Sequence, residues 1–296
     1  MKTASFALAL LLFVVPATAA DPYQQGLSSA LTNHMLVLRG YYTNSPLTFD
    51  TGGNLVSKGT PGFGPSEGRV YVKQVQLETG KLTLTGVRPL DVLDQATQEW
   101  QIAPTATAIS VEILLPPDES PKTAVPRLIK SVFLDQAGLA AAECSAAERQ
   151  ELLDDTNAHV KRSSSHPDKK LPNAATLSDA HLYCVPGGDR GYRVGRGISA
   201  PHVKNAPDPK YTDAARNARV QGTTVLLALV TPDGLPTAIS IQRSLGAGLN
   251  DKLRPFGYQL DQRAVEAVSQ WRFDPAMFQG QPVPVVLDVE VNFKLY

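Results

Sequence analysis

Residues 223–244 read TTVLLALVTPDGLPTAISIQRS, and two strands joined by a turn can be taken from them directly. Thr223 to Val230 is a run of strand formers with the length and apolarity of a buried strand. Thr231-Pro232-Asp233-Gly234 predicts a tight turn: proline presets φ at the second position, and glycine accepts the closing geometry. Thr237 to Ser244 returns as a second strand, so the segment is a β-hairpin. Before it, Thr212 is placed to cap a short helix, Asp213 to Val220, which Gly222 is expected to end in the left-handed region. After it, Asp261 is expected to N-cap a second helix, in which Leu260, Ala264, Ala267, Val268 and Trp271 recur at helical spacing. Asn250 to Gln259 then lengthens the connection leading to that helix, and Trp271 and Phe273 read as core.

The final run, Val285 to Tyr296, alternates. Val285, Leu287, Val289, Val291, Phe293 and Leu295 fall on one face, and Asp288, Glu290, Asn292 and Lys294 on the other, the pattern of a half-buried strand. The order helix, hairpin, helix, strand most simply forms a three-stranded antiparallel sheet with both helices on one face. No later segment is available to pair with the last strand. The backbone groups of Val285, Val286, Leu287, Asp288, Val289, Glu290, Val291, Asn292 and Phe293 are therefore a template for an incoming peptide, unless a loop, the first domain or a second copy covers them. Replacing Val289 by proline, which removes a backbone donor, is expected to weaken such binding.

The rest of the chain sets the context. With 296 residues, the length prior is about two domains. The 28 Lys and Arg balance 28 Asp and Glu, which argues against a dedicated nucleic-acid binder. Residues 1–20 have a positive start, an apolar core from Ala4 to Val15 and a small-residue cleavage site, the pattern of a secretory signal peptide. The alternative is an uncleaved inner-membrane anchor. Export implies a periplasmic or envelope location, where Cys144 and Cys184 either form a disulfide or remain two unlinked thiols. Residues 21–155 read as a β-rich domain: Met35 to Leu38, Leu47 to Gly53, a hairpin of Val70 to Leu77 with Leu82 to Val87, and Ala108 to Leu114. Two helices close it, one from Ala124 to Leu134 and one opening at Ser145 with Glu148 in a capping box. Residues 156–204 are turn and linker material, within which Leu182 to Val185 is expected to pack back on the first domain. The fold class is therefore α+β, with a second domain over 205–296.

That second domain resembles the C-terminal domain of the TonB family. The resemblance rests on Tyr211 with Ala214-Ala215, Gln221-Gly222, Val230-Thr231-Pro232-Asp233-Gly234, Ser240 and Ser244. It continues through Ala264, Ala267, Trp271-Arg272-Phe273, Pro275-Ala276, Gly280, Pro282-Val283 and the closing valine-rich strand. It implies a domain whose edge strand pairs with the Ton box of outer-membrane TonB-dependent transporters. The features that couple this family to the inner-membrane ExbB/ExbD motor are not matched: the apolar leader is short and without histidine, and no long proline-rich spacer follows. A homodimer through the same edge is the competing use, in a non-transducing envelope assembly protein.

No catalytic constellation competes with a binding role. The five histidines show no HExxH spacing, and there is no Gly-x-Ser-x-Gly elbow. Gly62, Gly64 and Gly68 have the wrong spacing for a dinucleotide loop and read as a turn before a strand. No enzyme activity, cofactor or metal is expected.

Overall fold

A computed structural model describes residues 21–103, 107–163 and 174–295. The expected signal peptide and residues 164–173 of the expected linker lie outside the described residues. The described residues open with α1 (Pro22–Leu31), β1 (Met35–Val37), β2 (Leu47–Phe49), α2 (Pro65–Gly68), β3 (Arg69–Glu78) and β4 (Lys81–Val87). Next come β5 (Leu90–Leu93), β6 (Trp100–Ala103), β7 (Ala108–Leu114), α3 (Pro121–Val132), α4 (Gln136–Ala142) and α5 (Ala146–Ser163). The short strands β8 (Leu182–Cys184), β9 (Arg190–Tyr192) and β10 (His202–Asn205) lead to α6 (Asp213–Asn217). The remainder is β11 (Gly222–Val230), β12 (Pro236–Arg243), α7 (Arg254–Ser269), β13 (Arg272–Asp274), β14 (Ala276–Phe278), β15 (Gln281–Val283) and β16 (Val285–Phe293).

The first sheet has the order β1-β3-β4-β7-β2. Its central hairpin turns through Thr79-Gly80, with Glu78 opposite Lys81 and Gly80 at φ 79°, where glycine meets no Cβ penalty. Val72, Leu82, Leu84, Val111 and Ile113 of this sheet are buried against Ala124, Val125 and Leu128 of α3. At the start of α5 the capping box forms in both directions. The Ser145 N–H donates to Glu148 Oε2 at 2.7 Å, and the Glu148 N–H donates to Ser145 Oγ at 3.2 Å.

The second sheet has seven strands in the order β6-β5-β12-β11-β16-β9-β8. Its centre is the antiparallel set expected from the sequence: β12 and β16 flank β11, and α6 and α7 pack on one face. Leu226, Ala228, Val289, Val291 and Phe293 meet Ala215, Leu260, Ala264 and Val268 there. Two additions come from earlier in the chain. The β5–β6 pair joins in parallel at Ile241–Val92, and the β8–β9 pair joins in parallel at Val285–Tyr192. Leu182 to Cys184 thus enters the second sheet, and the same segment also packs back on the first domain, through the Cys184–Cys144 disulfide and the contact of Val185 with Leu152. The opposite face is not solvated either: Leu227, Leu229 and Val286 are buried against Leu152 of α5 and Val185. The last strand is accordingly buried on both faces at its start and half-buried only farther on. Sequence units divided near residue 205 share this one sheet.

Three local expectations are corrected. The left-handed residue after α6 is Arg219, at φ 54°, whereas Gly222 at φ 151° opens β11. Asp261 is not a helix cap: α7 begins at Arg254, with Pro255 in its first turn, so Asn250 to Gln259 is partly helix and not merely a longer connection. Gly62 to Gly64 is a loop, but a single helical turn, α2, separates it from the strand.

Candidate functional site

The exposed edge of β16 is built from the hairpin outward. β11 and β16 pair without interruption from Gly222–Phe293 to Val230–Val285. In a strand, the N–H and C=O of one residue point the same way and those of the next residue the other way. The Pro284 carbonyl accepts from the Tyr192 N–H at 2.9 Å, and the Val286 carbonyl from Arg193 Nη1 at 3.4 Å. Even-numbered residues therefore face away from β11. Pro284 and Val286 are taken up by β9 and Arg193. The backbone groups of Asp288, Glu290 and Asn292 have no strand partner on that side among the described residues.

Arg193 closes one end of this open edge. Its Nε lies 3.1 Å from Asp155 Oδ2 of α5, and its Nη1 lies 3.0 Å from Asp288 Oδ2. The same guanidinium thus ties the helix on the back face to the first outward residue of the edge. At the other end, the Leu295 N–H donates to Gln221 Oε1 at 2.9 Å, and Tyr211 stacks edge-on against Phe293 at 5.5 Å. Along the edge, Asp288, Glu290 and Asn292 present exposed side chains, while Val289, Val291 and Phe293 are buried toward the helices.

The motif residues support this strand and do not line it. Tyr211 donates from its hydroxyl to the Val220 carbonyl at 2.9 Å, which fixes the approach to β11. Gly234, at φ 76°, accepts from the Phe273 N–H at 3.0 Å, and a Cβ there would stand 2.0 Å from the Phe273 carbonyl oxygen. Asp233-Gly234 and Trp271-x-Phe273 are therefore two halves of one contact. Trp271 Nε1 donates to the Pro207 carbonyl at 3.2 Å, and Phe273 is buried. Pro275 lies between β13 and β14 and is half-buried. Asp261 is a buried hub. It accepts from Thr224 Oγ1 and Ser244 Oγ, each at 2.6 Å, and from the Leu245 and Gly246 N–H groups at 2.8 and 3.2 Å.

Two features outside the expected set bear on the edge. Tyr192 and Arg193, read as linker in the sequence, occupy its first third. The hairpin that carries them is anchored by a disulfide between Cys144 and Cys184. It is also anchored by Asp189, whose carboxylate accepts from the Ser66 N–H at 3.2 Å across to the first domain. Burial raises the Asp189 carboxyl to about 6, despite hydrogen bonds from Ser66 that act the other way. No group of three or more histidine, cysteine or carboxylate side chains is placed to hold a metal among the described residues. Nor is any helix among them long and apolar enough to cross a membrane.

Comparison with known proteins meets the geometry in the same region. Residues 253–295 match the family described as the Gram-negative bacterial TonB protein C-terminal. Two curated relatives, each named Protein TonB, come from Xanthomonas campestris pv. campestris strains B100 and ATCC 33913. Each is 33% identical to this chain over 92 residues. That stretch is 31% of this chain and 37% of each relative, so the match spans little more than a third of the relatives' length. Through this region the chain carries a C-terminal domain of the TonB family.

Proposed function

We propose that this protein acts in transport across the cell envelope by binding an extended segment of an outer-membrane TonB-dependent transporter, the Ton box, along the open edge of β16. The observation that carries this reading is the row of outward backbone groups at Asp288, Glu290 and Asn292. They lie on a strand paired along its whole length with β11 and have no strand neighbour on the outer side among the described residues. Main-chain hydrogen bonds supply the affinity in such a mode, and the alternating side chains supply the preference. The location that fits is the periplasm, with residues 1–20 as a cleaved leader.

Alternation along β16 decides which proline tests the idea. Val289 faces β11, so proline there removes a bond of the fold itself. Glu290 faces outward, and proline at that position leaves the β11 ladder intact while removing the donor that an incoming strand would use, along with the Glu290 carboxylate. A labelled synthetic Ton-box peptide, titrated against the full chain by fluorescence anisotropy, is expected to bind Glu290→Pro about tenfold or more weakly, from a lost main-chain bond plus ring clash. The thermal unfolding of the variant should stay close to that of the parent. Unchanged peptide affinity in a folded Glu290→Pro protein refutes strand addition at this edge.

A further inference from the structure

The open edge carries a charge that no cation among the described residues answers. Of the three outward residues, Asp288 is held by Arg193, which also engages Asp155. Asn292 is neutral, and the Thr223 hydroxyl reaches its side-chain oxygen at 2.6 Å. Glu290 stands between them, exposed and without a hydrogen bond or ion pair among the described residues. Its neighbour across the ladder on β11 is Val225, which offers it no cation. Lys294 lies on the same side, but four residues farther along an extended chain, or about 14 Å at ~3.4 Å per residue. The Glu290 carboxylate therefore projects next to the line an added strand would follow.

We propose that the edge selects an extended segment of about five residues that places a lysine or arginine beside Glu290 and small or β-branched apolar residues on the helix side, and that Arg193 stops the segment at Asp288. This rests on the strand-addition reading above and names the partner chemistry it favours. The length follows from the edge itself, since Tyr192 and Arg193 already occupy the groups before Asp288. The charge follows from cross-strand pairing, in which opposite charges directly opposite each other stabilise and like charges destabilise. The same rule disfavours a second copy as the occupant. A two-fold antiparallel pairing centred on the middle outward residue sets Glu290 against its own equivalent.

The test uses three acetylated peptides, Thr-Val-Lys-Val-Thr and its versions with Ala or Glu at the centre, titrated against the full chain, its Glu290→Lys variant and its Glu290→Pro variant. In each peptide the centre and the threonines share one face, and the valines share the other. The lysine peptide is expected to bind the parent about two- to fivefold tighter than the alanine peptide, with the glutamate peptide weakest. In Glu290→Lys that order inverts. Equal binding of all three peptides to the parent, with binding lost in Glu290→Pro, overturns the charge preference and leaves strand addition standing. Binding untouched by Glu290→Pro, or absent for all three peptides, overturns strand addition itself. A stable dimer in sedimentation that no peptide dissociates assigns the edge to a second copy and overturns the proposal.

Discussion

Replacing Asp261 by alanine is expected to destabilise the protein by about 3–5 kcal/mol, although the residue looks like a surface helix cap in the sequence. The carboxylate is 1% exposed and serves four donors: the Thr224 and Ser244 hydroxyls and the Leu245 and Gly246 amides. It thereby fastens α7 to β11 and to the turn that follows β12. On truncation the two hydroxyls can rotate toward other acceptors, but the two amides are fixed by the backbone. Each buried amide left without a partner costs about 1–3 kcal/mol, and the vacated space adds to that. Asparagine separates the two roles. Its single carbonyl oxygen can still serve Thr224 and Leu245, and its amide can donate to Ser244, so one backbone N–H is orphaned at a cost of about 1–3 kcal/mol. At a helix N-cap, by contrast, asparagine is as good as aspartate and alanine costs only about 1 kcal/mol. Urea unfolding of the full oxidised chain, followed by Trp fluorescence, measures both variants, with an unchanged m-value required for the comparison. A near-neutral Asp261→Asn together with an Asp261→Ala cost near 1 kcal/mol refutes the buried hub.

Two further perturbations address the hairpin that bounds the edge. Reducing Cys144–Cys184, which closes a 40-residue separation, is expected to lower stability by about 4 kcal/mol in the chain-entropy model; a Cys144→Ser/Cys184→Ser variant that unfolds at the parent's urea midpoint would refute this. Asp189 should make stability fall as pH rises. Its folded-state value of about 6 exceeds the unfolded value, so its contribution is fully present below about pH 4 and is lost through pH 6, amounting to about 3 kcal/mol at pH 8. Asp189→Asn is therefore expected to be the more stable protein at pH 8 and to match the parent near pH 4, and an identical difference at both pH values excludes the linkage.

What could be read from the sequence divides along the range of the interactions involved. The hairpin of β11 and β12, the Gly80 turn, the capping box at Ser145 and the alternation of β16 are encoded within a few neighbouring residues, and their elements form where expected. Asp261 misled because an aspartate ahead of an apolar 3.6-residue rhythm has the same local signature whether it caps a helix or sits inside one. The true start, marked by Pro255 and lacking a side-chain cap, gives a weaker signal. The flanking strands β5, β6, β8 and β9 are three or four residues long, and each pair meets the central sheet at a single register position far away in the chain. No local pattern specifies such a pairing. One hint was present at the edge: Val285-Val286 breaks strict alternation, as expected where a strand is buried on both faces.

The two flanking additions change what the C-terminal domain can do. A three-stranded sheet with helices on one face would leave the whole outer side of β16, from Val285 onward, open to a partner. Here β9 and Arg193 take its first third, so the edge left unpaired among the described residues is shorter and has a defined end. The same additions cover the back face. Removing residues before 205 would strip Leu152 and Val185 from Leu227, Leu229 and Val286, each of which gains about 1.5–3 kcal/mol from burial. It would also remove the Arg69–Asp91 ion pair, with contacts of 2.5 and 3.1 Å, which joins the first sheet to β5. The preceding residues thus bear on the proposed binding edge by limiting its length and by supplying a second layer against the start of its strand.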